Sequence, residues 1–344
     1  MIKKIIFIFY TISVSFVLLE ILFSFLPVST ARIIQEVNED NPISHFKKHN
    51  LVTVNSNVNF SKVIKKKTNN YGYFSNLDYS SNKNLSRCRN IVIGDSYVEA
   101  DQVLNSETFH AILNSGKCET YALGKSGDPL SQYIAYAEFA IDEFEPDNLI
   151  FLIIDNDYDE SWLKYKSSPA THYFNNNEEL VRVDFKPSLK GLILRKSDFL
   201  YFLHKDSKIH VQLKKMFTNN KQKIQKKDYE LRIEDMKRAA EIFLEKISHI
   251  GKDRNIILIV DGDRRLIYQN KKNRNNDAIG KSHKHLLANA KKYKNIKVID
   301  LHPLFFNDWI KNKKKFNSTN DYHWNTYGHS FVGKNLNYFL NMKY

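Results

Sequence analysis

The sequence that decides the fold is Ile91-Val92-Ile93-Gly94-Asp95-Ser96-Tyr97, an apolar, β-branched run that stops at Gly-Asp-Ser. An apolar run that ends at glycine is typical of a buried parallel strand. A helical pattern begins soon afterwards, near residue 106, so the stretch predicts a strand, a loop and a helix. Ser96 then lies at the carboxyl end of the strand, the edge that holds the ligand crevice in open α/β sheets. The alternative is an ordinary loop in which Asp95 and Ser96 only satisfy backbone N–H groups.

Further strands and helices alternate along the chain. After the first strand, short apolar runs follow at 120–123, 149–154, 256–260 and 296–299. Helical patterns lie around 107–114, 129–144, 229–250 and 283–293, and a last helix follows Gly328. Strands that alternate with helices pair in parallel. The sequence therefore predicts an α/β fold, a three-layer α/β/α sandwich around a five-stranded parallel sheet of the flavodoxin-like kind.

Residues 1–27 predict a short cytoplasmic tail and a transmembrane anchor. The run from Ile5 to Leu26 is almost entirely apolar. At about 1.5 Å per residue it is long enough to cross the hydrocarbon core of a bilayer. Lys3 and Lys4 precede the run, and positively charged residues stay on the cytoplasmic side. Everything after Pro27 is therefore expected outside the cytoplasm.

Glu20 interrupts this apolar run. A carboxyl group within a span is costly, so Glu20 is expected to be protonated, to lie near the headgroups or to face a partner. A cleavable signal peptide is the alternative, because Ser29-Thr30-Ala31 places small residues at the spacing that cleavage needs. The apolar run is longer than a usual signal core, which favours a retained anchor.

The rest of the chain divides into a lead-in and a domain. Residues 28–87 are polar, rich in Asn, Ser and Lys, and predict a stalk with an edge strand near Val52–Val54. Residues 88–344 hold the alternating strands and helices. Within them, about 161–227 is long, aromatic and basic and is interpreted as an insertion. Its aromatic residues, Trp162, Tyr165 and Tyr173 among them, form either a wall that faces sugar rings or ordinary packing.

The net charge of +14, from 52 basic and 38 acidic residues, is compatible with nucleic acid, an anionic membrane or an acidic polysaccharide. The lysines are scattered among asparagines, as in Lys65-Lys66-Lys67 and Lys313-Lys314-Lys315. No aromatic-rich basic stripe and no zinc-ligand spacing accompanies them, so a solvated surface is the preferred interpretation. An address outside the cytoplasm also argues against a nucleic-acid partner.

The chain has two cysteines, Cys88 and Cys118, and both would lie on the oxidising side of the membrane. Each stands six positions before a glycine that ends a strand, Gly94 and Gly124. If those two strands are neighbours in register, the cysteines start them side by side. We therefore expect a disulfide, whose narrow geometric tolerance the sequence does not test.

The chemical groups stand at strand ends and in one late loop. Ser96 follows the first strand, Gly127 the second and Asn156 the third, and Asp321-Tyr322-His323 precedes the final helix. Acyl transfer needs a nucleophile, a base and an orienter for that base, which serine, histidine and aspartate supply. It also needs donors for an oxyanion, which the N–H groups of Ser96 and Gly127 and the amide of Asn156 can supply.

Each of these residues also has a plainer interpretation. Gly127 can simply permit a tight turn, Asn156 can cap the next segment, and His323 can be a helix-entry residue. His302 also follows a strand and is a decoy for the base. Asp155, Asp157 and Asp159 alternate like a calcium loop, but Glu160 and Lys166 occupy the positions that need glycine and glutamate. The sequence predicts no metal and no cofactor.

The order Gly-Asp-Ser, glycine, asparagine and a C-terminal Asp-x-His resembles the SGNH, or GDSL-type, hydrolase superfamily over residues 90–340, the insertion excepted. The resemblance implies Ser96 as nucleophile, Gly127 and Asn156 in the oxyanion hole, His323 as base and Asp321 as its support. The local motifs look most like membrane-anchored bacterial members associated with envelope polysaccharides.

Two departures from the family pattern bear on the activity. Asp155 precedes Asn156 where glycine is usual, which places an extra carboxylate near the oxyanion site. The spacing of Asp321 and His323 is Asp-x-His rather than Asp-x-x-His, and it also occurs in related proteins that O-acetylate alginate. That second departure shifts the expectation towards acyl transfer.

The resemblance implies an esterase or O-acetyltransferase of the bacterial inner membrane, with its catalytic domain in the periplasm. Its substrate would be an acylated glycan or a small acyl ester, and a membrane acyl-donor protein is a further candidate partner. The alternative is a catalytically silent carbohydrate-binding or assembly module, which the oddities at Asp155 and Glu20 motivate.

Overall fold

A computed structural model describes residues 2–39, 41–55, 59–114, 117–185, 188–207, 209, 230–319 and 321–341. The chain forms two compact units, each drawn from separate stretches. The larger unit comprises Ile34–Asn50, Lys67–Lys186 and Lys221–Tyr344. The smaller unit comprises Met1–Ile33, Leu51–Lys66 and Pro187–Asn220.

The larger unit is built on a five-stranded parallel sheet. Its strands are β3 (Arg89–Gly94), β4 (Glu119–Gly124), β5 (Asn148–Ile153), β8 (Asn255–Val260) and β9 (Ile296–Asp300). Their order across the sheet is β4-β3-β5-β8-β9, with every pair parallel. This is the flavodoxin-like order. The predicted fold class is confirmed, and the five predicted strands differ from the observed ones by one residue at most ends.

Helices cover both faces of this sheet. They are α2 (Ser96–Glu99), α3 (Phe109–Asn114), α4 (Leu130–Phe144), α7 (Ile233–Ile250), α8 (Arg264–Tyr268), α9 (Ala278–Ala290), α10 (Leu301–Asn312) and α11 (Thr326–Asn341). The side chains of each strand alternate between the faces. Ile91 and Ile93 pack in one core with α4, α7 and α9, whereas Val92 packs in the other with α2, α3, α8, α10 and α11. Two cores around one sheet make three layers.

The sequence located the long helices but not all of the short ones. Predicted helices match α4 and α11, whose apolar positions recur at helical spacing. The predicted start of α7 at Tyr229 lies outside the described residues. Residues 301–312, which carry no separate prediction, form α10. A short antiparallel hairpin, β6 (His172–Phe174) with β7 (Leu180–Arg182), also belongs to this unit.

The two units do not coincide with the consecutive segments expected from composition. Residues 34–50 and 67–87 of the expected stalk belong to the larger unit. Tyr79 shows why, because its buried ring stacks on that of Tyr121 in β4, with centroids 4.2 Å apart, and its hydroxyl donates to Ala122 O. Buried aromatic side chains such as Tyr79 therefore attach this polar stretch to the core of the larger unit.

The smaller unit contains the apolar N-terminal helix α1 (Ile2–Ser24). It also contains a hairpin of β1 (Leu51–Asn55) and β2 (Val63–Lys67), as well as two short helices, α5 (Leu189–Leu194) and α6 (Asp198–Tyr201), followed by a π-helical turn, Phe202–Asp206. Strand β1 includes the expected edge strand at Val52–Val54. By length and composition α1 could cross a membrane, a test that a signal sequence also passes.

Cys88 and Cys118 stand directly before β3 and β4. The strands pair in register from Arg89 with Glu119 to Gly94 with Gly124, as the disulfide hypothesis requires. The two Cα atoms are 4.4 Å apart, and the sulfur atoms are joined in the structure. Intact-mass analysis with and without a reductant measures whether the bridge forms in the isolated protein.

Candidate active site

The sheet brings the predicted site residues to one edge. Gly94 pairs with Gly124 at the ends of β3 and β4, and Ile93 pairs with Phe151 in the neighbouring β5. Ser96, Gly127 and Asn156 follow these three adjacent strands. Because the strands are parallel, the loops that hold the three residues leave the sheet at the same edge, where the strand order reverses.

The turn from β3 into α2 presents the serine. Asp95 is the N-cap of α2, and its Oδ1 accepts a hydrogen bond from Tyr97 N at 3.1 Å. A Cβ atom on Gly94 would lie 2.5 Å from Val98 Cγ2, so only glycine lets the strand turn this tightly onto its helix. Ser96 Oγ lies 2.8 Å from Asp95 Oδ2, which is one of two acceptors within reach of its single hydroxyl proton.

His323 and Asp321 complete a continuous hydrogen-bonded series with this serine. His323 Nε2 lies 2.8 Å from Ser96 Oγ, and His323 Nδ1 lies 2.6 Å from Asp321 Oδ1. Asp321 Oδ2 accepts a further hydrogen bond from Gln102 Nε2 at 2.9 Å. The carboxylate is thereby held at both oxygens, and the imidazole is held by its Nδ1, which leaves Nε2 to face the hydroxyl.

The opposite charges of His323 and Asp321 raise the pKa of the histidine and lower that of the aspartate. Burial favours the neutral form of His323, but the hydrogen bond and charge of Asp321 outweigh it, so the pKa of His323 lies above its usual value. Burial likewise opposes the charged form of Asp321, yet the hydrogen bond and charge of His323 outweigh it and hold the Asp321 pKa far below its usual range. Burial raises the pKa of Asp95. Asp321 therefore stays ionised beside a base whose pKa it raises.

A buried ion pair anchors the loop that carries His323. Arg264 Nη1 donates to both carboxylate oxygens of Asp261 at 2.5 Å, and both side chains are about 6 % exposed. Arg264 Nη2 donates to Tyr97 Oη at 2.6 Å and to the carbonyl of Tyr322 at 2.9 Å. Trp324 Nε1 donates to Asp261 Oδ1 at 3.3 Å. The peptide before His323 and the side chain of Trp324 after it are thus tied to one guanidinium–carboxylate pair.

The sequence did not single out this anchor. Asp261 follows the fourth strand, where it is 5 % exposed and paired with Arg264. Its position at a strand end was the available signal. Arg264 and Tyr97 are 167 residues apart, so no local sequence pattern reveals the contact between them.

Lys166 and Glu160 form a brace that joins the loop after β4 to the loop after β5. Gly127 has a φ of 82°, which favours glycine, and its carbonyl accepts from Lys166 Nζ at 2.7 Å. Lys166 Nζ also donates to Glu160 Oε2 at 2.5 Å, and Glu160 Oε2 accepts from Asn156 Nδ2 at 2.9 Å. An amide has two N–H donors, so Asn156 keeps one for another acceptor. The brace orients both residues that were expected in the oxyanion hole.

Buried Asp157 shapes the loop that presents Asn156. Its Oδ2 accepts from Ile154 N at 2.8 Å and from Tyr133 Oη at 3.1 Å. Asp155, which precedes Asn156, is paired with His283 Nε2 at 3.1 Å. His283 is held on its other side by Tyr158 Oη at 2.7 Å. The extra carboxylate therefore belongs to a contact with α9.

The decoy histidine is engaged elsewhere. His302 lies in the first turn of α10 rather than in a loop, and its Nδ1 accepts from Asp263 N at 3.2 Å. The described residues include no group of three or more His, Cys, Asp and Glu side chains placed to hold a metal ion.

The aromatic residues of the expected insertion are packed rather than displayed. Trp162 is 5 % exposed and Tyr173 is fully buried. Trp162 Nε1 donates to Asp235 O, and the Tyr165 hydroxyl donates to the Asp235 carboxylate. Packing is thus the correct alternative for Trp162 and Tyr173. The exposed aromatic residue beside the site is Tyr322, which is 65 % exposed and lies between Asp321 and His323.

No protein-family model matches the chain, and no curated protein matches its sequence. Similar solved structures include a lipase from a goat rumen metagenome, at 14 % identity over 72 % of this chain and 95 % of that chain, with a TM-score of 0.41. A member of the lipolytic G-D-S-L family from Veillonella parvula matches at 13 % identity over 72 % and 94 %, with a TM-score of 0.40. An acetyl xylan esterase from Butyrivibrio proteoclasticus matches at 11 % over 82 % and 69 %, with a TM-score of 0.38. The solved structures to which this chain is similar thus include a lipolytic G-D-S-L family protein and an acetyl xylan esterase.

Proposed function

We propose that this protein is a serine ester hydrolase or acyltransferase of the SGNH type that uses Ser96, His323 and Asp321. The observation that carries the proposal is the unbroken series from Ser96 Oγ to His323 Nε2 and from His323 Nδ1 to Asp321, at 2.8 and 2.6 Å. A nucleophile, a base and an orienter at these distances are the requirement for acyl transfer to serine.

In the first half of the reaction, Ser96 Oγ bonds to the ester carbonyl carbon while its proton passes to His323 Nε2. The carbonyl oxygen becomes an oxyanion. The carbon–oxygen bond to the alcohol then breaks, His323 returns the proton to that alcohol, and the acyl group stays on Ser96. Asp321 stabilises the imidazolium without taking its proton.

The oxyanion needs donors that are already in place. The N–H groups of Ser96 and Gly127 and the second amide N–H of Asn156 are the donors that we assign to it. The brace of Lys166 and Glu160 supports this assignment, because it holds the carbonyl of Gly127 and the amide of Asn156 in place before substrate arrives.

In the second half, the oxygen of water or of an alcohol bonds to the acyl carbon while His323 Nε2 takes its proton. The bond from that carbon to Ser96 Oγ then breaks, and His323 returns the proton to Ser96 Oγ. Water makes the protein an esterase, and a sugar hydroxyl makes it an acyltransferase. Both reactions use the same residues, so the choice depends on what binds beside the acyl-enzyme.

We assign the substrate to acyl esters, foremost O-acetyl esters, of envelope glycans. Two features of the site support this class. The side chains of His323 and Asp321 are 27 % and 37 % exposed, so an ester on a polymer can reach the series. The exposed ring of Tyr322 stands next to the base, and aromatic faces suit the apolar faces of sugar rings. The protein would act outside the cytoplasm, with α1 as its inner-membrane anchor and a membrane acyl-donor protein as a candidate partner.

The test is release of p-nitrophenol from p-nitrophenyl acetate by the full chain in detergent. We expect Ser96→Ala to lose at least about 10³-fold in kcat/KM while its thermal unfolding is unchanged. Ser126→Ala is the matched control, since that serine stands exposed after the neighbouring strand. Adding acetylated and unacetylated oligosaccharides then divides hydrolysis from transfer.

A fluorophosphonate that labels active serines provides a second measurement. Labelling that is lost in Ser96→Ala and kept in Ser126→Ala supports the nucleophile. Absence of turnover that depends on Ser96, together with absence of labelling in the parent chain, would contradict the proposal and favour the silent binding module. The two oddities that motivated that module have partners here, since Asp155 pairs with His283 and Glu20 with Ser197.

A further inference from the structure

Glu20 is the one carboxylate in the apolar helix α1, and three groups in the smaller unit bind it. Ser197 Oγ donates to Glu20 Oε2 at 2.6 Å, Asp198 N to Oε1 at 2.7 Å and Phe199 N to Oε2 at 3.4 Å. The first N–H groups of a helix have no partner within it, so Glu20 caps α6. The carboxylate that is costly within the span therefore receives its hydrogen-bond donors from a segment far away in sequence.

Aromatic contacts extend this match along one face of α1. Phe16, Glu20 and Phe23 are spaced by four and three residues and so lie on the same side of the helix. The ring of Phe199 lies 6.1 Å from that of Phe16 and 5.2 Å from that of Phe23, measured between centroids. The ring of Phe202 lies 4.7 Å from that of Phe23. Residues 197–202 thus pack along about two turns of α1.

The depth of this contact follows from helix geometry. At about 1.5 Å per residue, Phe16 lies roughly 12 Å before the end of α1 at Ser24. A helix as long as α1 just crosses a hydrocarbon core of about 30 Å. When α1 spans a bilayer, the groups that touch Phe16 and Glu20 therefore lie below the headgroups of the outer leaflet.

The helix α5, which precedes α6, leaves its apolar side chains uncovered. Leu189, Leu192 and Ile193 are 73 %, 42 % and 52 % exposed. Arg195 and Lys196 follow directly after the helix. Apolar side chains with adjacent cationic residues are typical of segments that lie at the surface of an anionic bilayer.

We infer that residues 188–207 form a second membrane-inserted segment, clasped to α1 through Glu20, with Leu189, Leu192 and Ile193 among the acyl chains of the outer leaflet. The occupant of the exposed apolar face of α5 is the lipid bilayer itself. The inference requires that α1 is retained, and the contact explains why retention matters. Cleavage after Ala31 would remove the acceptor for Ser197 and for the first turn of α6.

The test places a fluorescent probe on α5 of the full chain in vesicles of phosphatidylcholine and phosphatidylglycerol. Leu192→Cys carries an environment-sensitive nitrobenzoxadiazole label, attached without reductant so that Cys88 and Cys118 stay joined. We expect blue-shifted emission that lipids spin-labelled near the headgroup quench strongly and aqueous iodide quenches weakly. The same label at Leu85→Cys, a site 92 % exposed among polar residues, is the reference for a probe in water.

Two variants at Glu20 test the clasp. Glu20→Leu removes the acceptor and is expected to lower the quenching of the Leu192 probe by spin-labelled lipid, whereas Glu20→Gln keeps an acceptor oxygen and retains it. A Leu192 probe that emits as in water and is quenched by iodide but not by lipid would overturn the inference, as would mass spectra of a chain cleaved after Ala31. Hydrolysis of p-nitrophenyl acetate by the same vesicles is read separately, so failure of the proposed activity is distinguishable from failure of this insertion.

Discussion

The two sides of Ser96 are held in place by different kinds of interaction. On the side of the base His323, the loop that carries Asp321 and His323 is hydrogen-bonded to the ion pair of Asp261 and Arg264, whose side chains are about 6 % exposed. On the oxyanion side, Gly127 and Asn156 are joined by Lys166 and Glu160, whose side chains are 24 % and 28 % exposed.

The difference in burial has energetic consequences. A buried ion pair is expensive to break, because the remaining charge has lost its partner and has no water. A pair that water reaches contributes less to stability, since water can replace either partner. We therefore expect damage on the base side to lower both stability and activity. Damage on the oxyanion side should lower activity alone.

The largest expected effect concerns the orienter of the base. Asp321→Asn should lower kcat by about 10⁴-fold, because the amide favours the wrong tautomer and does not stabilise the imidazolium. Gln102, which donates to Asp321 Oδ2, stays as it is. Esterase assays with active-site titration measure the loss, and a variant with more than a tenth of the parent kcat would contradict the assigned role.

The same variant sharpens the pH dependence. His323 must be neutral to act as base, so kcat/KM falls as the pH drops through its pKa, which Asp321 raises above the usual value. The acid limb of the parent chain should therefore lie above pH ~6.5, the ordinary value for histidine. In Asp321→Asn the limb should move to lower pH. A limb that does not move would mean that Asp321 does not set the charge of His323.

The next effect breaks the buried anchor. Arg264→Met should lower the free energy of unfolding by about 3–5 kcal/mol, because Asp261 is left buried without its cation. It should also lower kcat, since the carbonyl of Tyr322 loses a donor. Chemical denaturation measures the stability. Arg265→Met is the control, because the Arg265 side chain is 58 % exposed, and its cost should stay within about 0.5 kcal/mol.

The smallest effect concerns the brace of the oxyanion side. Lys166→Met should lower kcat by about 10-fold, less than the loss of an oxyanion donor itself, because Lys166 positions donors without being one. KM and the unfolding midpoint should hardly change. Lys164→Met, in the same loop but paired with Asp235, is the control. Rescue by Lys166→Arg would support a positioning role, whereas equal loss of stability and activity in Lys166→Met would remove the contrast between the two sides.

Local patterns predicted much of the larger unit. Strands such as Ile91–Gly94 are apolar runs bounded by glycine, and helices such as 130–144 repeat apolar residues at helical spacing. Because parallel strands end at one edge, the order of Ser96, Gly127 and Asn156 along the chain was enough to expect them together. The Asp321-Tyr322-His323 motif was located from its place before the last helix.

Long-range contacts explain what the sequence left undetermined. Arg264 and Tyr97 are 167 residues apart, and Glu20 and Ser197 are 177 residues apart, so no window along the chain contains either pair. The pairing of Asp155 with His283 on α9 joins residues 128 positions apart in the same way. Burial likewise decided that Trp162 packs while Tyr322 is displayed. The chemistry of each side chain is written in the sequence, but its partner, its burial and therefore its charge depend on which distant segments the fold brings together.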